Sequence, residues 1–181
     1  SDKSDKYDIQ PSEKGTLAFK WMKIIFISGS YFSNGFKNAI YEEKVVNMRL
    51  AKCRFEKSWR MKIVDLTGFV PLPFDSLFIL ANCIFINNSV SGGVALHLKS
   101  FTKLVIFNCA FKLNYAKGGL ISFSRIAQLQ IIKAAFMHNK AGNTLYYIDS
   151  GFPKKITYSI LIYRTIFVTH NNHEKVNAEP A

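Results

Sequence analysis

Apolar residues in this chain fall into short runs, among them Val94–Leu98, Lys103–Cys109, Leu120–Ser124, Gln128–Ala134, Thr144–Ile148 and Ile156–Arg164. Each is rich in Ile, Val, Leu, Phe or Tyr and is closed off by Gly, Asn, Ser or Lys, which is how strands and their turns read. No stretch keeps a 3.6-residue apolar period between capping residues, so little helix is expected.

The runs recur in phase. Cys83-Ile84-Phe85-Ile86-Asn87-Asn88, Cys109-Ala110-Phe111-Lys112-Leu113-Asn114 and Ala134-Ala135-Phe136-Met137-His138-Asn139 align without gaps as small residue, any, Phe, any, any, Asn. Looser copies start at Ser30, Cys53 and Thr165, so that the Phe positions are 32, 55, 85, 111, 136 and 167. A second element follows the Asn: Gly92-Gly93-Val94-Ala95, Gly118-Gly119-Leu120-Ile121 and, more weakly, Gly142-Asn143-Thr144-Leu145.

An all-β repeat of this length predicts a solenoid of coils stacked at the strand spacing of about 4.8 Å. Stacking makes columns. Phe is expected to fill the interior, with Cys or Ala where space is tight. Asn suits a turn, because it tolerates the left-handed conformation and its amide can bond the neighbouring coil. A β-sandwich is the other arrangement of such strands, but it gives Phe and Asn no reason to recur in phase. The reading is therefore an all-β parallel β-helix (β-solenoid) of about five to six coils, whose right-handed winding is implied only by the family resemblance given next. It occupies residues 17–171, between a polar N-terminal extension (1–16) and a polar C-terminal tail (172–181).

Phe-x-x-Asn at 85–88, 111–114 and 136–139, alternating with Gly-Gly-x-aliphatic at 92–95 and 118–121, resembles the paired repeat of the polymorphic outer-membrane proteins. These are chlamydial surface adhesins with pectin-lyase-like right-handed β-helices, and similar repeats occur in large surface proteins of ciliates. The resemblance implies extracellular or cell-surface display, and adhesion or scaffolding without catalysis.

Charge changes the picture next. The chain carries 24 Lys and Arg against 12 Asp and Glu, a net charge of +12. Residues 76–173 hold ten of those cations and a single acid, Asp149. Such a surface suits an anionic partner, whether an acidic protein, an acidic polysaccharide or nucleic acid, or else keeps a sticky β-protein in solution. No run reaches the roughly 18 apolar residues of a membrane-spanning helix. The chain starts at Ser1, which reads as a processed or partial chain.

Candidate chemistry narrows quickly. Cys53, Cys83 and Cys109 hold one place in the repeat, and Ala134 takes it in the next copy, so buried free thiols are expected. There is no Cys-x-x-Cys pair, and His170 and His173 lack a third ligand, so neither a metal nor a cofactor is expected. Glycoside hydrolysis needs two facing carboxylates and calcium-assisted cleavage needs several acids. Only Asp149 is acidic between Asp75 and Glu174, and Asp65, Asp75 and Asp149 approach one another only through loops. A polysaccharide-cleaving enzyme is the least supported class.

Binding has better candidates. Insertions fall at one connection of the coil, giving apolar loop tips at Phe69, Pro71, Leu72 and Phe74 and at Phe152 and Pro153, with Phe101 at the same place in an intervening coil. The cations Lys99, Lys103, Arg125, Lys154 and Lys155 flank them. Asn87-Asn88-Ser89 is a glycosylation sequon in a turn, usable at Asn87 on secretion. Leu17–Ile27 is a covering strand for the N-terminal end. The ten or so polar residues past Asn171 are too few to cap the other, which predicts pairing with another chain or a longer solenoid. The expectation is a non-catalytic structural or adhesive solenoid, with an anion-binding module as the rival.

Overall fold

The computed structural model describes residues 15–35, 38–60, 62–68, 76–90, 94–142, 144–148, 159–168 and 177–179. It is all-β, with no helix among those residues. The strands return in layers. The first layer is β1 (Gly15–Lys20), β2 (Ile24–Ser28) and β3 (Tyr31–Ser33). The second is β4 (Asn38–Val45), β5 (Asn47–Ala51), β6 (Arg54–Glu56) and β7 (Trp59–Arg60). The third is β8 (Val64–Gly68), β9 (Leu77–Ala81), β10 (Ile84–Ile86) and β11 (Ser89–Val90). β12 (Val94–Phe107), β13 (Ala110–Lys112) and β14 (Tyr115–Ala116) make the fourth. β15 (Gly119–Ile132), β16 (Ala135–Met137) and β17 (Lys140–Ala141) make the fifth. β18 (Leu145–Ile148), β19 (Ser159–Tyr163) and β20 (Ile166–Val168) follow, and β21 (Asn177–Glu179) pairs with β18.

Every registered pair is parallel, and like joins like from layer to layer. One sheet runs β1-β4-β8-β12-β15-β18-β21, with a branch in which β2, β5 and β9 lead to the second half of β12, and β19 pairs with β15. A second sheet runs β3-β6-β10-β13-β16-β20 and a third β7-β11-β14-β17. The two strands per repeat read from the sequence are continuous in β12 and β15, which bend in mid-course at Ser100 (φ 62°) and Arg125 (φ 54°). Leu17–Ile27, expected as a covering strand at the N-terminal end, lies there as most of β1 and β2, paired in register with β4 and β5.

Alternation with one face buried fills the interior. Ile25, Met48, Phe78, Leu104, Leu129 and Ile160 form one inward column, and Ile27, Leu50, Leu80, Ile106, Ile131 and Ile162 form another. The Phe positions also stack. Rings of Phe32, Phe55, Phe85, Phe111, Phe136 and Phe167 lie 4.6 to 5.0 Å apart and within 7° of parallel. Isolated aromatic pairs prefer an edge-to-face or offset arrangement. Here the parallel register sets the spacing, because each Phe pairs directly with the next.

The corners are made by residues in the left-handed region. Gly29, Lys52, Asn82, Asn108, Lys133 and Arg164 precede the small-residue column with φ between 48° and 66°. Asn34, Lys57, Asn87, Leu113 and His138 do the same on the far side of the Phe strand, at 47° to 55°. Asn88, Asn114 and Asn139 are therefore not themselves left-handed; the residue before each one is. Their part is the amide. Asn114 Oδ1 accepts from the Asn88 backbone N–H (3.2 Å) and from Asn88 Nδ2 (2.9 Å), while Asn114 Nδ2 donates to Phe85 O (2.9 Å) and Asn139 Oδ1 (3.0 Å). All three are buried, and the ladder satisfies groups that the turns would otherwise strand.

Cys53, Cys83 and Cys109 are free and buried in one column. Each thiol lies 3.3 Å from the carbonyl oxygen two residues before it. The hydrogen bond with Cys83, helped by burial, pushes the Cys53 thiol up, and the bond with Cys109 together with burial pushes Cys83 up to about 12. Held protonated, Cys53 and Cys83 act as small apolar residues, while the hydrogen bond with Cys83 lowers the Cys109 thiol.

Candidate functional site

The corner that carries the predicted cations is compact. Lys99 and Lys103 lie half-buried on β12 either side of Ser100, and Arg125 is the corner residue of β15, paired in register with Ser100's position. Three predicted cations are thus brought to one corner. Phe101 is not a surface residue: it is fully buried beside Phe78, with ring centroids 5.8 Å apart. The left-handed Ser100 resets the alternation, so that residues 100 and 101 both face inward. The corner admits no bulk on its inner side. A Cβ on Gly68 would lie 1.9 Å from the Ser100 carbonyl oxygen. Phe69, Pro71, Leu72, Phe74, Phe152, Pro153, Lys154 and Lys155 lie outside the described residues, as do His170 and His173. Asn87 is exposed at a left-handed turn, although Asn88 beside it is buried.

Two polar clusters were not anticipated. On the outward face of β8 and β12, Asp65 Oδ1 meets His97 Nδ1 at 2.8 Å, and Lys62 Nζ lies 3.0 Å from Asp65 Oδ2 and 3.4 Å from His97 Nδ1. Burial pushes the Asp65 carboxyl up, but the hydrogen bonds from His97 and Lys62 outweigh it and hold the group below its usual range. On β3 and β6, the Tyr31 hydroxyl donates to Glu56, whose other oxygen accepts from Arg54 Nε at 2.6 Å. Those two contacts lower the Glu56 carboxyl, and Glu56 in turn raises the Tyr31 hydroxyl. The repeat itself was the available signal for the first cluster. Asp65 and His97 hold equivalent places in Val64-Asp65-Leu66 and Leu96-His97-Leu98, which pair in register.

Glu42 differs from both. It points inward from β4, between Phe19 and Leu66 in register, and it is fully buried with neither carboxylate oxygen hydrogen-bonded. Burial pushes its carboxyl up to about 8, and Glu43 adds to the shift.

Apolar side chains are exposed on the outer face of the first layer, at Trp21, Ile24, Phe26 and Tyr31, but at the C-terminal end of the stack the exposure extends to inward positions. Ile160 and Ile162 continue the two inward columns, yet they are 60% and 40% exposed, and Leu161, Tyr163 and Ile166 are exposed as well. Among the described residues β19 pairs only with β15 and β20 only with β16, which leaves one edge of each strand unpaired. No helix among the described residues is long and apolar enough to cross a membrane. No protein-family model, no curated protein and no solved structure matches this chain.

Proposed function

We propose that the chain is a right-handed parallel β-helix of six coils. In this reading it is a non-catalytic structural or adhesive component of a cell-surface structure or a multi-subunit assembly, joined to its neighbours through its C-terminal end. One observation carries the reading: among the described residues the inward columns end at Ile160 and Ile162, and both side chains are exposed. An apolar column cut off in water favours a further layer, at about 25 cal/mol per Å² of apolar surface removed from water, and an open parallel edge supplies the pairing groups. The parallel pairing and the Phe and Asn columns support the coil description. Extracellular display rests on the repeat resemblance. Light scattering across a range of concentrations is the test. The native chain is expected to associate, and the Ile160→Lys, Ile162→Lys double variant to remain monomeric. Equal monomers of both at high concentration would overturn the reading.

An anion-binding module is the second reading, favoured by a separate observation. Residues 76–173 carry ten Lys and Arg against one acid, Asp149. That excess projects a positive potential, which predicts binding that weakens steeply with salt. A polysaccharide-cleaving role has less behind it. Asp65 is already engaged by Lys62 and His97, and Glu56 by Tyr31 and Arg54.

A further inference from the structure

The geometry points to a single-stranded nucleic-acid site on the outward ridge of the third sheet, built on Trp59 and Tyr115 and the lysines around them. It deepens the anion-binding reading by giving it a place, away from the Lys99–Arg125 corner, and it does not depend on end-to-end association.

The ridge follows from register. Trp59, Ser89, Tyr115 and Lys140 are successive partners across β7, β11, β14 and β17, so they form one column on the outer surface. Trp59 is 69% exposed and Tyr115 43%. Leaving large aromatic surface in water is costly at about 25 cal/mol per Å², and two such rings share this column, two strand spacings or about 9.5 Å apart. Lys57, Lys117 and Lys140 are exposed beside this column and Lys112 at the near end of β13 in the adjoining sheet, and Lys140 Nζ lies 6.0 Å from the centre of the Tyr115 ring. Glu56, next in sequence to Lys57, is already held by Arg54 and Tyr31. Beside the Trp59 turn a cavity of about 240 Å³ is lined by Arg54, Glu56, Lys57, Ile86, Asn87 and Leu113, and it offers amide and charged groups above an apolar floor.

Aromatic rings interleaved with cations are what an unpaired strand needs. Its bases stack on the rings and its phosphates lie along the positive charges, largely without regard to sequence. Two exposed aromatic rings in one column favour nucleic acid over an acidic polysaccharide, because every base has a π-face to stack on them. A ridge of roughly 14 Å takes a few nucleotides, at the small end of the site sizes such surfaces show.

Fluorescence anisotropy of the full chain with a labelled twelve-residue oligothymidylate tests the site, with hyaluronan, alginate and neutral dextran as competitors. Binding is expected at 50 mM salt, with a log–log salt slope of about −2 to −3, as for three or four phosphates on a single strand. Trp59→Ala with Tyr115→Ala should weaken it at least tenfold. Lys112→Gln, Lys117→Gln and Lys140→Gln together should flatten the slope by about 2. Both sets of residues are exposed, so unchanged circular dichroism and thermal midpoints are expected to accompany the losses. Lys99→Gln with Lys103→Gln should bind as the native chain does. No oligothymidylate binding at 50 mM salt would overturn both this site and the anion-binding reading for nucleic acid. Binding lost only in the Lys99, Lys103 variant would keep the anion reading and sink this site. Displacement by hyaluronan or alginate at charge concentrations where oligothymidylate fails to self-compete would replace nucleic acid with an acidic polysaccharide.

Discussion

The two ends of the stack end the same columns differently. Ile25 and Phe32, in the first layer, are nearly as buried as residues in the middle, with Leu17, Phe19, Met22 and Ile27 packed against the core around them. Ile160 and Ile162 in the last layer belong to columns of the same character and stand largely exposed. Residue type does not separate the ends, since both present aliphatic side chains at inward positions. The difference lies in what lies over them. The closed end has a defect of its own, because it is the N-terminal layers that bury the unpaired Glu42 carboxyl. Among the described residues the first layer buries its inward side chains but lies next to a misplaced polar group, whereas the last is chemically clean and leaves them exposed.

Glu42 gives the sharpest way to break this contrast. Its carboxyl is raised from the ordinary 4.5 to about 8, so the folded chain prefers the protonated form. Nothing is lost below the unfolded value. Stability then falls as pH rises from about 4.5 to about 8 and levels off beyond, by roughly 5 kcal/mol in all. Glu42→Gln should remove this slope in urea titrations taken across that range, and parallel curves for the two proteins would refute the buried charge.

Phe111→Ala, in the middle of the ring stack, should cost about 4 kcal/mol. Phe167→Ala, in the last layer, should cost about 1 kcal/mol, because its ring is only half-buried and among the described residues stacks on Phe136 alone. Equal losses would mean that the end is covered in solution, so the pair of variants also probes association.

Asn114→Ala leaves the Phe85 carbonyl and the amides of Asn88 short of partners and should cost about 2–3 kcal/mol. The exposed Asn108 donates to Asn82 Oδ1 at 2.7 Å from a left-handed corner (φ 50°), and Asn108→Ala should cost about 1 kcal/mol, most of it backbone strain. A similar cost at both positions would detach the buried Asn ladder from the stability of the turns. Smallest of all, Ile160→Lys should leave the stability of a dilute monomer within about 0.5 kcal/mol of native, while Ile131→Lys, one layer in, should prevent folding.

Much of the frame was legible because Phe, Asn and the small residue keep phase through the chain, and only stacking in register explains that. Glu42 shows where legibility stopped. Beside Glu43 it reads as solvent-facing, and only its parity with Ile40 on β4 turns it inward. Phe101 was misplaced for the related reason that Ser100 takes the left-handed conformation and turns two consecutive residues to the core. Asp65 and His97 are 32 residues apart, with a loop between them, so their contact depends on how many residues that loop consumes before the register resumes.

By itself, then, the sequence determined that short strands recur, that they stack in parallel with Phe over Phe and Asn over Asn, and that the later layers are basic. Local propensity and spacing are enough for that, since each column needs only the layer beside it. Only the tertiary structure decided which corner residue resets the alternation, which acids find partners and which end of the core lies open. Burial and pairing belong to a residue together with the layers above and below it, and those layers are set by the whole stack.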